Sequence, residues 1–359
     1  NIYGAILQKN TGKNVVVSPF NVYVALMLLY EGANTTTREE LGKFMGLDGA
    51  EACKAFKELL SGLPIGGSGT ATLYIANGVW LRRGFPFKES YIEKVSGCYQ
   101  ADVKYFTSVS ELVKDVNSWV KEKTRGLIRD LLNEEELTRN QDPIIAVLVS
   151  AIYFKAEWLT EFKPLPNGLK FWNGTTEIVV PGMKAEDTLI KYVEGGDYIA
   201  VEIPYKDTSV SMVMVMPHNF ADVRQKYREM ILDALSKLDS TEPDRAYIVM
   251  PKFNITFRED LKEYLRELGV QEIFGGADLS RMAYVEKGDL YVSDVIHQAV
   301  IKVDEKGTEA AAATAIVIRR LSSALPRTIV INRPFIYMLR DSKSKAILFI
   351  GHVVNPLAS

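Results

Sequence analysis

Cysteine is nearly missing from this sequence: Cys53 and Cys98 are the only two among 359 residues. Two cysteines are too few for a disulfide framework, and their spacing matches no metal site. They read as two buried thiols, with a single bridge as the alternative. Histidine is confined to His218, His297 and His352. Neither sign of charge dominates, since 43 Lys and Arg face 45 Asp and Glu for a net charge of −2. That balance removes any global attraction to nucleic acid or to an anionic membrane. Long apolar runs are missing too. The longest are Val22 to Tyr30 and Ile144 to Val149, with Ala151 to Phe154 just beyond, and a bilayer span needs roughly 18 residues. There is no HExxH, no phosphate-binding glycine loop and no GxSxG, and Gly66-Gly67-Ser68-Gly69 fits none of these patterns. The sequence therefore implies no metal and no cofactor, and it reads as a protein other than an enzyme. Only a Ser-His-Asp site assembled from distant residues stays open.

What is present suits an ordinary folded chain. Hydrophobic residues make up 47% and charged residues 25%, enough to bury a sizeable core. The length allows two domains or one large one. The chain starts inside an apolar pattern (Ile2, Ala5, Ile6) without Met or a signal peptide, and reads as a mature or trimmed form. Sequons at Asn34, Asn173 and Asn254 lean toward a secreted glycoprotein, with a cytoplasmic protein as the alternative.

The first 130 or so residues read mainly as helices. Asn21 to Tyr30 is apolar almost all round, which predicts a buried helix. Thr36 and Thr37 precede an amphipathic stretch and read as its cap. Ser61 to Thr70 is a loop on its Gly and Pro content, Ala71 to Leu81 a strand, and Glu111 to Leu132 returns to helical spacing. Strands then take over. Ile144 to Phe154 suits a sheet centre covered on both faces, and Met212, Met214 and Met216 mark one packed face of a strand. Asp260 to Leu268 reads as a short helix, and Ile329 to Ile331 and Ile347 to Val354 as closing strands. Helices first and strands later indicate an α+β domain. Lys121 to Arg125, Lys54 and Lys57 read as solvated surface rather than as a polyanion or glycosaminoglycan site.

One segment is unusual. Glu305-Lys306-Gly307-Thr308-Glu309 leads into Ala310-Ala311-Ala312-Ala313-Thr314-Ala315 and then Ile316-Val317-Ile318-Arg319-Arg320-Leu321-Ser322-Ser323. At period two, Thr308, Ala310, Ala312, Thr314, Ile316 and Ile318 form one uncharged parity, small where space would be tightest. A strand built this way could enter a core. Its ending in Arg-Arg-Leu-Ser-Ser suits an exposed stretch offered to a protease.

These residues resemble the reactive-loop hinge of the serpins, the serine protease inhibitor family. Ile329 to Leu339, Phe349 to Pro356, Asn14 to Pro19, Ile75-Ala76-Asn77, Tyr153-Phe154-Lys155 with Trp158, Glu202 to Tyr205, Pro251-Lys252-Phe253 and Ala277 to Ser280 fall in that family's order. The resemblance covers nearly the whole chain. It implies a single α+β serpin domain over residues 1–359, with three β-sheets, eight or nine helices and an exposed reactive loop at about 305–327. It further implies a monomeric suicide-substrate inhibitor of serine proteases. The loop is cleaved, the acyl-enzyme is trapped, and the loop inserts into the central sheet of a metastable fold. The hinge is then Glu305, Gly307, Thr308, Ala310, Ala311, Ala312, Ala313 and Thr314, and the usual spacing from Glu305 selects Leu321-Ser322 as the reactive bond. Leu321 suits a chymotrypsin-like protease; Arg320 one position earlier would suit a trypsin-like one. A carrier or chaperone that keeps the fold without inhibiting is the runner-up.

The resemblance also places Trp158 at the breach, where the sheet opens, and Ser18, Asn21, Ser150 and His297 at the shutter beneath it. Serpins commonly carry Ser where this chain has Asn21 and Asn where it has Ser150, so the two types are exchanged. The expectation is compensation: Asn21 and Ser150 share one buried hydrogen-bond network with His297. Ala156 stands where the family usually has Gly.

Overall fold

The computed structural model describes residues 2–47, 52–139, 141–308 and 327–359. Helices α1 (Ile2–Asn10) and α2 (Pro19–Gly32) flank strand β1 (Val15–Val17), and α3 (Thr35–Met45) and α4 (Ala52–Ser61) follow. Hairpin β2 (Gly66–Ser68) and β3 (Ala71–Arg82), helix α5 (Glu89–Tyr99), strand β4 (Asp102–Phe106), helix α6 (Val109–Lys123) and the single turn α7 (Glu134–Leu137) lead into β5 (Ala146–Glu157). Then come β6 (Lys163–Trp172), β7 (Glu177–Glu194), β8 (Tyr198–Pro204), β9 (Val210–Pro217) and α8 (Val223–Asp239). The rest is β10 (Asp244–Pro251), β11 (Phe253–Asp260), α9 (Lys262–Glu267), β12 (Ile296–Val303), β13 (Gly307–Thr308), β14 (Arg327–Val330), β15 (Phe335–Asp341) and β16 (Ile347–Val353).

The central sheet has seven strands in the order β11-β12-β13-β5-β3-β2, with β4 beside β3. A nine-stranded path runs β1-β16-β15-β9-β8-β7-β10-β14, with β6 also on β7. The early part of β7 pairs with β6 and β10, while only Lys191 to Glu194 pair with β8. β7 thus passes from one sheet to another, and the expected three sheets result. The large core lies between the central sheet and the sheet of β8, β9, β15 and β16, with α2 running through it. α2 has no solvent face to spare, and Phe20, Val24, Met27 and Leu28 are all buried. A second, smaller core sits on the opposite face of the central sheet. There Leu112, Val116, Trp119 and Val120 of α6 meet Trp80, Val149 and Ala151. We call that face the front and the α2 face the rear.

Several local expectations are corrected. Cys53 on α4 and Cys98 on α5 form a disulfide, their Cα atoms 5.6 Å apart, rather than two thiols. The helices pack side by side, with Phe56 and Tyr99 ring centroids 4.9 Å apart. The cap of α3 is Asn34, not Thr36 or Thr37, whose hydroxyls are committed to Glu272 across the fold. Part of the predicted loop at Ser61 to Thr70 pairs as β2. The helix expected to Leu132 stops at Lys123. Arg125 and Gly126 take positive φ there, and the Thr124 hydroxyl accepts the Ile128 amide that a continuing helix would have used. The Met212, Met214 and Met216 face of β9 is buried as read, and so is its opposite face.

Candidate functional site

The central sheet is interrupted between β12 and β5. Among the described residues only β13 joins them, with Thr308 opposite Val303 on one side and Gly307 and Thr308 opposite Glu157 and Ala156 on the other. Flanking one strand puts β12 and β5 two strand spacings apart, roughly 9.6 Å. Below β13 the gap continues as a cavity of about 510 Å³ between Ala146 to Ala151 of β5 and Ile296 to Gln298 of β12. Asn21, Val22, Ala25 and Leu26 of α2 close it behind, and Ile128, Leu131 and Leu132 close it in front. The site is a strand-wide slot with its first two residues already in place.

Gly307 fits because nothing larger can. A Cβ there would collide with the Ala156 carbonyl oxygen and the Glu157 backbone. Thr308 is buried, and its hydroxyl lies 2.7 Å from the Tyr205 hydroxyl. Trp158 stacks on Tyr205 with ring centroids 4.5 Å apart and planes 12° from parallel. The Trp158 indole N–H donates to the Asp304 carbonyl at 2.9 Å, and its backbone N–H donates to the Lys306 carbonyl at 2.8 Å. The Phe162 amide donates to the Glu305 carbonyl at 2.9 Å, and Lys252 Nζ pairs with the Glu305 carboxylate at 3.0 Å. Glu305, Gly307, Thr308 and Trp158 therefore meet at one end of the slot. Tyr205, Lys252 and Phe162 join them, and sequence reading assigned these three no role. Burial pushes the Tyr205 hydroxyl well above its ordinary pKa, so it stays protonated and able to donate.

Asn21, Ser150 and His297 line the slot farther down, and Ser18 is tied to His297 beside it. The Ser18 amide donates to His297 Nε2 at 3.1 Å, and the Asn21 amide donates to Ser18 Oγ at 3.2 Å, capping α2. Burial holds His297 at about 4, so the ring is neutral and its proton sits on Nδ1. Among the described residues no hydrogen bond joins the Asn21 or Ser150 side chain to His297, and Asn21 Oδ1, Ser150 Oγ and Gln298 Oε1 are buried without a partner. All three residues line the slot.

Ala310, Ala311, Ala312, Ala313, Thr314, Arg320, Leu321 and Ser322 lie outside the described residues. Of the sequons, Asn34 is half-buried with its amide on Ser280, Asn173 accepts from the Thr175 and Thr176 amides in the β6–β7 turn, and Asn254 is exposed on β11. Among the described residues no cluster of His, Cys, Asp and Glu is placed to hold a metal ion, and no helix is long and apolar enough to cross a membrane.

Comparison with known proteins agrees with this geometry. Residues 1–356 match the family described as serpin (serine protease inhibitor). An uncharacterized serpin-like protein of Pyrobaculum aerophilum is 35% identical, covering 96% of this chain and 89% of its own length. Mouse neuroserpin is 29% identical, covering 99% of this chain and 89% of its own. Among solved structures, Serpin48 of the insect Tenebrio molitor superposes with a TM-score of 0.85 at 29% identity, over 99% of this chain and 94% of that one.

Proposed function

The chain belongs to the serpin family, and we propose that it traps serine proteases by loop cleavage and strand insertion. One observation carries this reading: β13 occupies the head of a slot that no other described residue fills. The register follows from it. Thr308 pairs with Ala156 and Val303, so six residues on, Thr314 comes opposite both Ser150 and His297. Thr308, Ala310, Ala312 and Thr314 share one parity and face the rear. The Thr314 hydroxyl then arrives where Ser150 Oγ and Asn21 Oδ1 lack partners. The alanines between fit a face packed against α2. From Gly307 to Leu321 the chain extends roughly 50 Å at about 3.3 Å per residue, far enough to carry an attached protease along the sheet.

The protease Ser attacks the Leu321 carbonyl carbon, the bond to Ser322 nitrogen breaks, and the amine leaves protonated. Leu321 stays esterified to the protease while residues behind it enter the slot. Trapping succeeds when insertion outruns hydrolysis of that ester. An apolar Leu321 points to chymotrypsin-like targets, with Arg320 directing a trypsin-like alternative. Extracellular action is part of this reading. It is supported by the Cys53–Cys98 bridge, which suits oxidising surroundings, and by the exposed sequon at Asn254. Finding the natural protein in the cytoplasm would remove that part.

The test is incubation with chymotrypsin and with trypsin, followed by a denaturing gel and mass analysis of the released C-terminal fragment. A covalent band with a fragment beginning at Ser322 is expected. A fragment beginning at Leu321 moves the target to trypsin-like proteases. Cleavage with no covalent band and no gain in thermal stability assigns the fold to a carrier instead.

A further inference from the structure

The slot is closed on its front by the chain returning from α6 to β5. This strap is pinned to α6 where Asn117 makes two bonds to Leu132, its Nδ2 donating to the carbonyl at 2.9 Å and its Oδ1 accepting the amide at 2.8 Å. On the β5 side the Arg125 guanidinium lies 5.1 Å from the Tyr153 ring centroid and 5.5 Å from that of Tyr74. On the far side the Tyr291 hydroxyl, just before β12, donates to Asp142 near the end of the strap, and Arg258 of β11 fastens its middle across the slot. Arg258 Nη1 donates to Glu136 Oε1 at 3.2 Å, Nη2 to Glu136 Oε2, and Nε and Nη2 to the Leu131 carbonyl at 3.4 and 3.2 Å. These hydrogen bonds hold the Glu136 carboxyl below the usual carboxylate range.

The topology gives this clamp a consequence. β11 lies beyond β12, so Arg258 ties one wall of the slot to a strap that is covalently continuous with the other wall at Ile145. Behind the slot, α2 is part of the main core and cannot yield. A strand extending from β13 into the lower slot passes beneath the strap, where Leu131 and Leu132 line the front.

We infer that Arg258 is a positioning residue for strand insertion: its release from Glu136 and the Leu131 carbonyl lifts the strap and sets the rate at which the lower slot accepts a strand. The inference rests on the insertion reading above. Both side chains are about one-third exposed, 31% for Arg258 and 34% for Glu136, so the pair is a moderate barrier rather than a lock. A bidentate, partly screened pair of this kind corresponds to roughly a fivefold to tenfold change in rate when removed.

The test uses the uncut full chain and a synthetic peptide copying residues 308–320, with annealing followed through Trp158 fluorescence and gain in thermal stability. Arg258→Gln and Glu136→Gln should each anneal the peptide about fivefold to tenfold faster than the parent. The double reversal Glu136→Arg with Arg258→Glu should return toward the parent rate, which loss of packing alone would not do. Single variants that anneal at the parent rate overturn the inference. Failure of the peptide to anneal to any form overturns it together with the insertion reading. Faster annealing of the single variants, with no covalent protease complex from any form, leaves the clamp standing and removes inhibition.

Discussion

Thr308→Arg puts the insertion step to its most direct trial. Thr308 is 4% exposed, wedged between Val303 and Ala156, with its hydroxyl on Tyr205. An arginine there loses the hydroxyl pair, worth about 1 kcal/mol. It must also bury a guanidinium where Tyr205, Trp158 and the backbone carbonyls offer no carboxylate. An uncompensated buried charge costs about 3 to 5 kcal/mol. Taking only about 3 kcal/mol at the insertion transition state slows insertion roughly 100-fold. In the uncut protein the arginine escapes by leaving the sheet, so β13 is lost while the global fold survives. Hydrolysis of the acyl-enzyme is untouched, and the balance between trapping and turnover shifts by the same factor. Chymotrypsin should then cleave Thr308→Arg at the same bond while forming little covalent complex, counted by gel and by titration of residual activity. Thr308→Val keeps the shape and loses only the hydroxyl, so it should slow insertion by about fivefold. Undiminished covalent complex from Thr308→Arg would refute the argument, because the buried hinge position would then have no part in the rate.

Other consequences follow from the same structure. Cys53→Ser or reduction opens a cross-link spanning 45 residues, which by chain-entropy reasoning costs about 4 kcal/mol; thermal unfolding with and without reductant should show a fall of about 5 °C. His297 and His352 are each held at about 4 by burial, below the unfolded value of about 6.5. Their stabilisation is complete above pH 6.5 and is lost as pH falls toward 4, about 1.4 kcal/mol per unit for each ring. Denaturant titrations between pH 7 and 5 should give that slope, and His352→Gln should remove one ring's share. Asn21→Ser replaces a partnerless amide oxygen under the slot and Ser150→Asn adds one. If the exchange is compensatory, each single variant should change the annealing rate of the loop peptide and the double should restore it. Additive effects would show that the two sites are independent.

The fold was legible where local chemistry and tertiary demand agree. Val22 to Tyr30 could only be buried, and the run at Ile144 to Phe154 needed cover on both faces; α2 and β5 supply both walls that matter most to the slot. The α6 boundary was not legible. Leu127 to Leu132 keeps helical spacing, yet the chain must turn back over the sheet, and the Thr124 hydroxyl with positive φ at Arg125 and Gly126 ends the helix against its propensity. The disulfide was not legible either, because residues 45 apart in sequence meet only once α4 and α5 pack. At the site, the small residues around Gly307 announced themselves through composition. Tyr205 and Lys252 did not, since a Tyr after a strand and a Lys between strands look ordinary until Thr308 and Glu305 are placed against them.

The driving force for insertion can be located from the groups left unsatisfied. A closed antiparallel sheet pairs its backbone N–H and C=O groups across each interface, but among the described residues no strand lies between the facing edges of β5 and β12 below β13. Among the described residues Asn21 Oδ1 and Ser150 Oγ, both on the rear, add two buried acceptors without partners, each costing about 1 to 3 kcal/mol while it stays so. Both deficits sit in the same slot, and one strand with hydroxyls on its rear parity relieves both. The gain is withheld because a strand entering the lower slot passes beneath the strap, which Arg258 fastens. Thermodynamic pull and kinetic restraint thus reside in different residues. Replacing an orphan acceptor should change how much stability insertion releases, whereas replacing Arg258 should change how soon it is released.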